Sequence, residues 1–523
     1  MAATKWEALS PYDSLVNLEG VEPREYQINI AKSVFSGKNT LVVLPTGLGK
    51  TLISVFAMAK CLYGHKKALI LAPTKPLSEQ HYVTLSKMLK VESGWIRLLT
   101  GRVAAKERMR EEDDARIIVA TPQTIANDIK AGRLSMWDFG LCVFDECHRA
   151  MGKYAYTFVA DECKEHGVQI MGMTASPGSK KRNIETLVAI LGIESIEIRS
   201  RFDPDVAKYV LGKSNEVVYV DKGPVVSRIS SLLAPIISEH LAKLNGMGLC
   251  PFKNFETMPK GRLIEIGRII SGLKAENYKF AALQHYVYIL DLLHAYDMAN
   301  VEGLYPFVSY MNSLEMREKK SRVVQSILSN QSVKRAVEAA RAALASGEEH
   351  PKMRRTVEVI RDKFPNSSVI VFAQYRSTTQ KLAEMLNSSG ISAMQFVGKK
   401  EGVTIADQQR VIADFRAGKF RVLVATSIAE EGLDIPGVDA VVFYEPVPSE
   451  IRTIQRMGRA GRMNFGNVVI MVARGTKDER YLLVSKSREG KMHDIVSQIN
   501  ESLSKKAFNH YDSNMDGAGQ RLL

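Results

Sequence analysis

The sequence predicts an α/β protein with two doubly wound parallel-sheet domains and a helical domain between them. Short apolar runs alternate with longer helical patterns over residues 22–200, and the same alternation returns over residues 350–500. The stretch between them is helical in pattern. At roughly 150 residues per domain, the chain length of 523 residues suits about three domains. We therefore expect domains at 1–204, 205–346 and 347–505, followed by a disordered tail at 506–523.

The first domain contains five candidate strands. Each is a near-continuous aliphatic or β-branched run, as expected for parallel strands that helices cover on both faces. The segments between these runs are long enough for crossover helices, one of which is predicted at residues 52–61. The candidate strands are Thr40–Leu44, Ala68–Leu71, Arg116–Ala120, Leu141–Phe144 and Gln169–Met173.

The second α/β domain follows a loop-like stretch at residues 346–351, which contains glycine, glutamates and a proline. Its strand candidates have the same buried character as those of the first domain. They are Val369–Ala373, Arg421–Ala425, Ala440–Tyr444 and Val468–Val472.

The middle region is predicted to be helical and basic. Residues 332–345 are rich in alanine, a strong helix former, and residues 206–345 hold 18 Lys and Arg against 12 Asp and Glu. We expect its aromatic residues to belong to the core more than to base-stacking surfaces; these are Tyr278, Phe280, Tyr286, Tyr288 and Tyr296. Apolar residues recur at steps of three and four at Phe280, Leu283, Val287, Leu290 and Leu293, which is helical periodicity.

Composition excludes several classes of protein. The 45% apolar and 24% charged residues exclude a mostly disordered or fibrous chain. The five cysteines contain no C-x-x-C pair, which argues against a disulfide framework or a cysteine-rich zinc site and favours a reducing compartment. The formal charge of +14 suggests a polyanionic partner such as nucleic acid, although a solvated basic surface gives the same value.

No targeting or membrane segment is expected. The first residues lack the apolar stretch of a secretory signal. The apolar stretch at 41–59 is interrupted by Pro45, Gly47, Gly49 and Lys50, so it fits a strand, a turn and a helix better than a membrane span. The expected location is therefore cytoplasmic.

A glycine-containing loop follows the first predicted strand. Gly47 and Gly49 allow backbone N–H groups to surround phosphate oxygens at the start of a helix. Lys50 would reach the outer phosphates and the Thr51 hydroxyl would hold Mg²⁺. The strict phosphate-loop pattern has a glycine where Leu44 stands, so a glycine-rich strand-to-helix turn is the alternative.

Two adjacent carboxylates, Asp145 and Glu146, end another predicted strand of the same domain. The first would hold Mg²⁺ through water, and the second would polarise an attacking water molecule. A solvated acidic pair is the alternative interpretation. Cys147 and His148 have no second half-site, so a structural metal centre is not expected.

Arginines in the second domain recur three residues apart, at Arg456, Arg459 and Arg462. Guanidinium groups match the oxygens of a transferring phosphoryl group, and an arginine supplied across a cleft is worth on the order of 10³–10⁵ in rate. Arginines on an exposed helix are the alternative. Because these residues lie in the domain without the phosphate loop, the pattern favours a nucleotide bound between two domains.

Five segments together resemble motifs I, II, III, V and VI of superfamily 2 helicases, and they occur in the family's order. Leu44–Thr51, Val442–Ser449 and the helical insert are most similar to the archaeal Hef and Fanconi-anaemia-M-type helicases. The resemblance implies two RecA-like domains with a thumb-like insert and an archaeal source. It further implies an ATP-dependent DNA helicase or translocase for forked or branched DNA in repair or recombination. The five segments are Lys50–Thr51, Asp145–His148, Thr174–Ser176, Ala425–Asp434 and Gln455–Arg462.

The resemblance also implies the roles of individual residues. Gln27 would read adenine and Arg24 would stack on it, while Asp434 would meet the ribose and Gln455 would lie near the γ-phosphate. Binding of ATP is implied for Arg24, Gln27, Thr46, Gly47, Leu48, Gly49, Lys50, Thr51, Gly432 and Asp434. Hydrolysis is implied for Lys50, Asp145, Glu146, Gln455, Arg459 and Arg462, with Mg²⁺ on Thr51 and Asp145.

The nucleic-acid track is implied by shorter segments whose hydroxyls and backbone N–H groups suit phosphates. Thr174 and Ser176 would couple this track to the metal site, and residues 317–322 form the densest basic cluster of the insert. The track comprises Pro73, Thr74, Lys75, Thr100, Gly101, Thr121, Gln374, Tyr375, Val397, Gly398 and Thr426.

Two other functions stay open from the sequence. Cys147 gives the sequence Asp-Glu-Cys-His, which RNA-dependent ATPases of the RIG-I and Dicer type also carry. The arginine motif at 455–462 favours DNA over RNA. A scaffold that binds nucleic acid under control of ATP, without strand separation, is the second alternative.

Overall fold

The computed structural model describes most of the chain. The described residues are 7–22, 24–45, 48–92, 94–100, 115–152, 154–178, 180–199, 203–210, 214–398, 403–426, 438–446, 467–484, 492 and 494–503. Within them the chain forms two all-parallel sheets and a helical region, as the sequence predicts.

The seven described strands of the first sheet are arranged in the order β3-β4-β2-β5-β6-β1-β7. Alternate residues of β1 enter two different apolar cores, Val42 on one face and Leu41 and Val43 on the other, so both faces are covered. This burial explains the continuous apolar runs. The strands are β1 Thr40–Val43, β2 Lys67–Leu71, β3 Ile96–Leu99, β4 Ile117–Ala120, β5 Phe139–Asp145, β6 Gln169–Thr174 and β7 Ser195–Ile198.

The first helix of this domain precedes β1, and each later helix follows one of the strands. α3 and α4 each have a proline in the first turn, where the missing N–H costs no hydrogen bond. The helices are α1 Glu25–Phe35, α2 Lys50–Tyr63, α3 Lys75–Met88, α4 Pro122–Lys130, α5 Tyr154–Glu165, α6 Lys181–Leu191 and α7 Pro204–Val210.

The second sheet has the order β10-β11-β9-β12-β13-β8 among the described strands. β8 pairs with β13 along its whole length, although it precedes the insert. The predicted boundary at residue 205 is therefore too early for this strand, which the polar residues Asn215 and Glu216 made hard to recognise. The strands are β8 Ser214–Val220, β9 Val369–Ala373, β10 Ala393–Phe396, β11 Val422–Thr426, β12 Ala440–Phe443 and β13 Asn467–Ala473.

The insert is helical and has one apolar core of its own. Its helices are α8 Gly223–Gly246, α9 Lys260–Ser271, α10 Glu276–Asp297, α11 Leu304–Glu315, α12 Arg322–Ser329 and α13 Gln331–Ala345. The second domain then contributes α14 Pro351–Lys363, α15 Arg376–Ser388 and α16 Ile405–Arg416, with further helical residues at 477–484.

α10 confirms the predicted helix but presents an unexpected face. Phe280 is 55% exposed, and Leu283 and Leu290 are also exposed, whereas Ile289 and Leu292 fill the core. Among the aromatic residues of this helix, Tyr288 and Tyr296 are buried as predicted, while Tyr278 and Phe280 are exposed.

A helical segment at 494–503 returns from the second domain to the first. Val496 and Ile499 join the apolar core that covers one face of the first sheet. The Asn500 side chain accepts a hydrogen bond from the backbone N–H of Ile196, on edge strand β7. No helix in the described part of the chain is both long enough and apolar enough to span a membrane.

Candidate nucleotide and nucleic-acid site

Three neighbouring strands of the first sheet bring the predicted nucleotide residues to one edge. β6 lies between β1 and β5, with Val43 opposite Thr174 and Asp145 opposite Met173. The carboxyl ends of parallel strands form the usual ligand crevice of an open α/β sheet. The phosphate loop, the acidic pair and the Thr174–Ser176 segment therefore meet at this edge.

Gly49 has a conformation and a neighbour that require glycine. Its φ of +80° lies in the left-handed region, and a Cβ atom there would stand 2.1 Å from Gln27 Nε2. This left-handed residue immediately precedes α2, whose first residues are Lys50 and Thr51. The backbone thus turns into the helix N-terminus at the point where phosphate would bind.

α1 supports this loop from outside. The Tyr26 hydroxyl and Gln27 Nε2 both donate to the carbonyl of Leu48, at 2.8 and 2.9 Å. Gln27 Oε1 is buried and has no hydrogen-bond partner among the described residues. Such an orphaned acceptor fits a ligand that carries an N–H donor, as the amino group of adenine does.

Arg24 lies next to this support. Its guanidinium donates to the Tyr26 hydroxyl at 3.1 Å and lies 5.8 Å from the ring centre of Tyr209 in α7. Burial raises the pKa of Tyr26, so its hydroxyl remains a neutral donor to Leu48. Arg24 thus contacts Tyr26, which holds the same Leu48 carbonyl as Gln27, and the adenine-binding roles of Arg24 and Gln27 stay predictions.

Lys50 is almost fully buried, with 4% of its surface exposed, and its ammonium group donates to the carbonyl of Leu44. The lysine therefore folds back across the mouth of the loop. Thr51 follows it in the first turn of α2. Thr46 and Gly47, predicted to bind phosphate, lie outside the described residues.

Asp145 is fully buried at the end of β5 and has specific hydrogen-bond partners. His81 Nε2 lies 2.9 Å from Asp145 Oδ2, and the Tyr156 hydroxyl donates to the Asp145 carbonyl at 3.0 Å. Burial strongly raises the pKa of Tyr156, so this phenol stays protonated. The buried carboxylate needs a partner such as His81, because an unpaired buried charge is costly, while Tyr156 holds the main chain of the same residue.

Glu146 occupies an unusual backbone conformation. Its φ is +48° and its ψ is +44°, a left-handed conformation that is uncommon outside glycine. Strain of this kind concentrates at functional sites. The side chain is buried, and Glu146 Oε2 lies 3.3 Å from His148 Nδ1.

The predicted coupling residues join the same network. Thr174 Oγ1 lies 3.0 Å from His148 Nδ1 and accepts a hydrogen bond from the Ser176 backbone N–H at 3.1 Å. The Ser176 hydroxyl in turn lies 3.1 Å from the sulfur of Met492. A continuous chain of contacts thus connects Glu146 to a residue that follows the second sheet.

The other half of this edge carries predicted nucleic-acid residues. Thr74 and Thr121 are the N-cap residues of α3 and α4, which follow β2 and β4, and Thr100 directly follows β3. Lys75 begins α3 and pairs with Glu79 at 3.2 Å. Because β3, β4 and β2 are neighbours, the structure brings these residues together.

In the second domain, the predicted track residues are largely engaged within the protein. Tyr375 packs against the core of the insert, with its ring 5.6 Å from that of His294. The backbone N–H of Gln374 donates to Glu445, and the Val397 carbonyl accepts from Gln408 at 2.8 Å. Thr426 is buried at the end of β11, and the carbonyl of Gly398 accepts from Arg376.

Several predicted residues lie outside the described part of the chain. Their roles stay predictions. They are Thr46, Gly47, Gly101, Gly432, Asp434, Gln455, Arg459 and Arg462.

A second group of buried charges lies where the insert meets the second sheet. Lys352 Nζ and Asp478 Oδ2, both without exposed surface, are 2.9 Å apart, and Lys477 Nζ lies 3.0 Å from Asp297 Oδ2. Attraction to the nearby acids outweighs burial, so the pKa of Lys477 is raised. Asp297 ends α10, so the Lys477–Asp297 pair connects the insert to the second domain, whereas Lys352 and Asp478 both belong to the second domain.

His350 adds a neutral group to this junction. Its Nδ1 accepts from the Lys352 backbone N–H and its Nε2 bonds the Asn300 carbonyl, each at 3.0 Å. Burial lowers the pKa of His350 to about 3. The hydrogen bond that Nδ1 accepts from the Lys352 N–H therefore depends on an uncharged imidazole.

Comparison with solved structures identifies the family. The chain is similar to the helicase domain of Pyrococcus furiosus Hef, with a TM-score of 0.73 and 39% identity. The match covers 90% of this chain and 100% of that one. This chain belongs to the Hef and Fanconi-anaemia-M-type superfamily 2 helicases. The two parallel sheets are accordingly its two RecA-like domains, and the helicase is an ATP-hydrolysing enzyme.

Matches to sequence families agree with this placement. Residues 24–184 match the DEAD/DEAH box helicase family, and residues 351–464 match the helicase conserved C-terminal domain. These ranges contain the nucleotide edge of the first sheet and most strands of the second.

Curated relatives are longer than this helicase. The chain is 36% identical over 94% of its length to a protein of Methanocaldococcus jannaschii named as an ATP-dependent RNA helicase, of which it spans 63%. It is 32% identical over 88% of its length to the Arabidopsis thaliana protein named DEAD-box ATP-dependent RNA helicase FANCM, of which it spans 35%. It is 30% identical over 91% of its length to the Neurospora crassa ATP-dependent DNA helicase mph1, of which it spans 44%.

Two residues of the helicase site were not predicted from the sequence. His81 contacts Asp145 across 64 positions of the chain, and Tyr26 holds the carbonyl of Leu48. No local pattern distinguishes either from an ordinary helix residue. His148, which belongs to the predicted Asp145–His148 motif and for which no metal role was expected, contacts both Glu146 and Thr174.

Cys147 fills a structural position in the helicase core. Its sulfur is fully buried, and a Cβ atom on Gly172 would stand 3.2 Å from it. The buried sulfur of Cys147 therefore leaves little room for a side chain at position 172. The described residues contain no group of three or more His, Cys, Asp or Glu side chains arranged to hold a metal.

Proposed function

We propose that this helicase is an ATP-driven DNA helicase or translocase that acts on forked or branched DNA in repair or recombination. The proposal rests on the two sets of residues at the carboxyl ends of the first sheet's strands. The ends of β1, β5 and β6 hold the nucleotide groups, and the ends of β2, β3 and β4 present hydroxyls and helix N-termini suited to phosphates. One rigid sheet would then contact both ATP and nucleic acid.

At the nucleotide half, the residues suit a magnesium-bound triphosphate. A carboxylate and a hydroxyl are the oxygen donors that Mg²⁺ prefers, so Asp145 and Thr51 would hold the ion. When bound, Mg²⁺ would neutralise charge on the phosphates. Lys50 would exchange its bond to Leu44 for the outer phosphates, and Gln27 Oε1 would accept from adenine.

Hydrolysis would depend on groups from both domains. Glu146, aimed by its left-handed backbone, would accept a proton from the attacking water. Arg459, Arg462 and Gln455 of the second domain would stabilise the developing charge on the γ-phosphoryl group. Closure of the two domains on ATP, and their opening after hydrolysis, would then let each domain bind and release the nucleic acid in turn.

The insert offers a further basic surface for DNA. The turn between α11 and α12 is exposed and carries Arg317, Lys319 and Lys320, and the exposed Arg322 begins α12. Clustered cations of this kind bind phosphates without reading base sequence. The buried pair of Lys477 with Asp297 at the junction would make this turn move with the second domain.

RNA is the alternative substrate, and one observation favours it. Two of the relatives above are named as RNA helicases, whereas the Neurospora protein is named as a DNA helicase. The arginine motif at 455–462 supports DNA.

ATP turnover with a panel of nucleic acids tests the proposal. We expect forked and four-way DNA to stimulate turnover more than single-stranded or duplex DNA, and duplex RNA to stimulate it least. Raising salt from about 50 to 200 mM should weaken DNA binding by orders of magnitude. Stimulation by duplex RNA alone would replace the DNA assignment with the RNA one.

A further inference from the structure

α3 connects the two halves of the sheet edge. It starts beside Thr74 and Lys75, on the half assigned to nucleic acid, and His81 on the same helix contacts Asp145 on the nucleotide half. The contact crosses from β2 to β5, the two strands at the boundary between the halves. Thr74 and His81 are roughly 10 Å apart along the helix axis, at 1.5 Å per residue.

The contact between His81 and Asp145 is well isolated from solvent. His81 is 5% exposed and Asp145 is 0% exposed, and their atoms are 2.9 Å apart. In this environment a hydrogen bond is stronger than in water and fixes the orientation of the carboxylate. Histidine–carboxylate contacts next to a metal site commonly orient the ligand, and their loss costs about 10–100-fold in metal affinity or activity.

The N-cap residue Thr74 is held by the first turn of the helix that carries His81. The Ser78 backbone N–H and hydroxyl both donate to the Thr74 carbonyl, at 3.0 and 3.2 Å, and Leu85 is buried in the domain core. A displacement of residues 73–75 therefore has to move the helix, and with it the imidazole that holds Asp145.

We propose that His81 is a positioning residue that couples nucleic-acid contact at residues 73–75 to the orientation of Asp145. The inference rests on the nucleic-acid-stimulated hydrolysis proposed above. By reciprocity, nucleotide binding would alter DNA affinity through the same contact, since a coupling free energy acts in both directions.

The test measures this coupling directly. DNA affinity is determined by fluorescence anisotropy with and without a non-hydrolysable ATP analogue and Mg²⁺, and the ratio of the two dissociation constants gives the coupling factor. In His81→Ala the coupling factor should be at least about threefold closer to one than in wild type. The stimulation of ATP turnover by DNA should fall about tenfold. DNA affinity without nucleotide should stay within about threefold of wild type.

Matched variants separate positioning from folding. His81→Gln places an N–H donor near the position of Nε2 and should restore most of the coupling, whereas His81→Asn does not reach it and should behave like His81→Ala. Val83→Ala, at an exposed position of the same helix, should leave the coupling unchanged. The Gln and Asn pair keeps the test decisive if the alanine variant does not fold.

The outcomes distinguish the inference from the proposed function. If wild type shows no DNA-stimulated turnover, the proposed function fails. If wild type is stimulated but His81→Ala and His81→Asn keep the wild-type coupling factor, or slow turnover equally with and without DNA, the coupling role of His81 is wrong.

Discussion

Two groups of buried charges lie at the carboxyl ends of parallel strands in this helicase. Lys50, Asp145 and Glu146 lie at the edge of the first sheet, and Lys352 and Asp478 lie beside the second sheet. All five are less than about 5% exposed. Burial alone therefore does not distinguish a reactive site from a structural one.

What differs is the setting of each group. At the junction, Lys352 and Asp478 pair at 2.9 Å within the second domain, and Lys477 pairs with Asp297 of the insert at 3.0 Å. At the first edge, charges stand beside left-handed residues, Gly49 and Glu146, and a helix N-terminus. The junction charges thus form ion pairs within the protein, whereas we expect the charges at the first edge to serve a ligand as well.

The largest expected effect is at the first edge. Glu146→Gln keeps the size of the side chain but removes the proton acceptor, so ATP turnover should fall about 10²- to 10⁴-fold. Nucleotide affinity and thermal stability should remain near wild type. Steady-state turnover and binding of a fluorescent nucleotide measure these quantities, and normal turnover in this variant would contradict the assigned role.

Acid should weaken the junction. The pKa of His350 is lowered from 6.5 to about 3, so the unfolded state binds more protons than the folded state between these values. The free energy of unfolding should therefore fall as pH drops below about 6.5, by on the order of a few kcal/mol. Urea denaturation at several pH values measures this slope.

A non-titrating variant serves as the control for this slope. His350→Asn retains an acceptor for the Lys352 N–H, so it should fold and show a shallower decline between pH 6.5 and 4.5. The burial of His240, with its pKa lowered to about 4, leaves part of the decline in place. Equal slopes in the two proteins would exclude His350 as the source.

A smaller effect is expected from the phosphate loop. Gly49→Ala adds left-handed strain of about 1–2 kcal/mol and a contact with Gln27. Gly37→Ala is the matched control, because Gly37 has a φ of +83° but no atom within 4 Å of an added Cβ. Only Gly49→Ala should weaken nucleotide binding, by about tenfold, as measured by isothermal titration calorimetry. Equal nucleotide affinities of the Gly49→Ala and Gly37→Ala variants would contradict a phosphate-binding role for the loop at Gly49.

The sequence predicted the inner strands of both sheets but not the outermost strand on either side of each sheet. All nine predicted strands are present, and the four that were not predicted, β3, β7, β8 and β10, are the edge strands of the two sheets. Edge strands have one neighbour and are partly exposed, so polar residues interrupt them, such as Arg97 and Glu197. Their apolar runs are too short to stand out.

The spacing of apolar residues predicted the helix α10 but not which of its faces is buried. Phe280, Leu283 and Leu290 recur with helical spacing, yet they lie on the exposed side of α10. The other side of the same helix is equally apolar, and only packing against α8 and α12 decides between the two.

The nucleotide site was predictable where its chemistry is local. Lys50 begins the helix after β1 and Asp145 ends β5, so their shared edge follows from parallel topology. His81 was not predictable, since its partner is distant in the chain. Tyr375 resembles a track residue in sequence, but it packs against the insert.

Substitution of one buried lysine in each group by methionine tests the central claim most directly. Thermal unfolding of Lys50→Met and Lys352→Met is compared with and without a non-hydrolysable ATP analogue and Mg²⁺. Without nucleotide, Lys50→Met should unfold close to wild type, whereas Lys352→Met leaves Asp478 unpaired and should lose about 3–5 kcal/mol. Only Lys352→Met should keep the stabilisation by nucleotide. Loss of nucleotide stabilisation in Lys352→Met, or its persistence in Lys50→Met, would contradict the division between ligand-facing and fold-supporting charges.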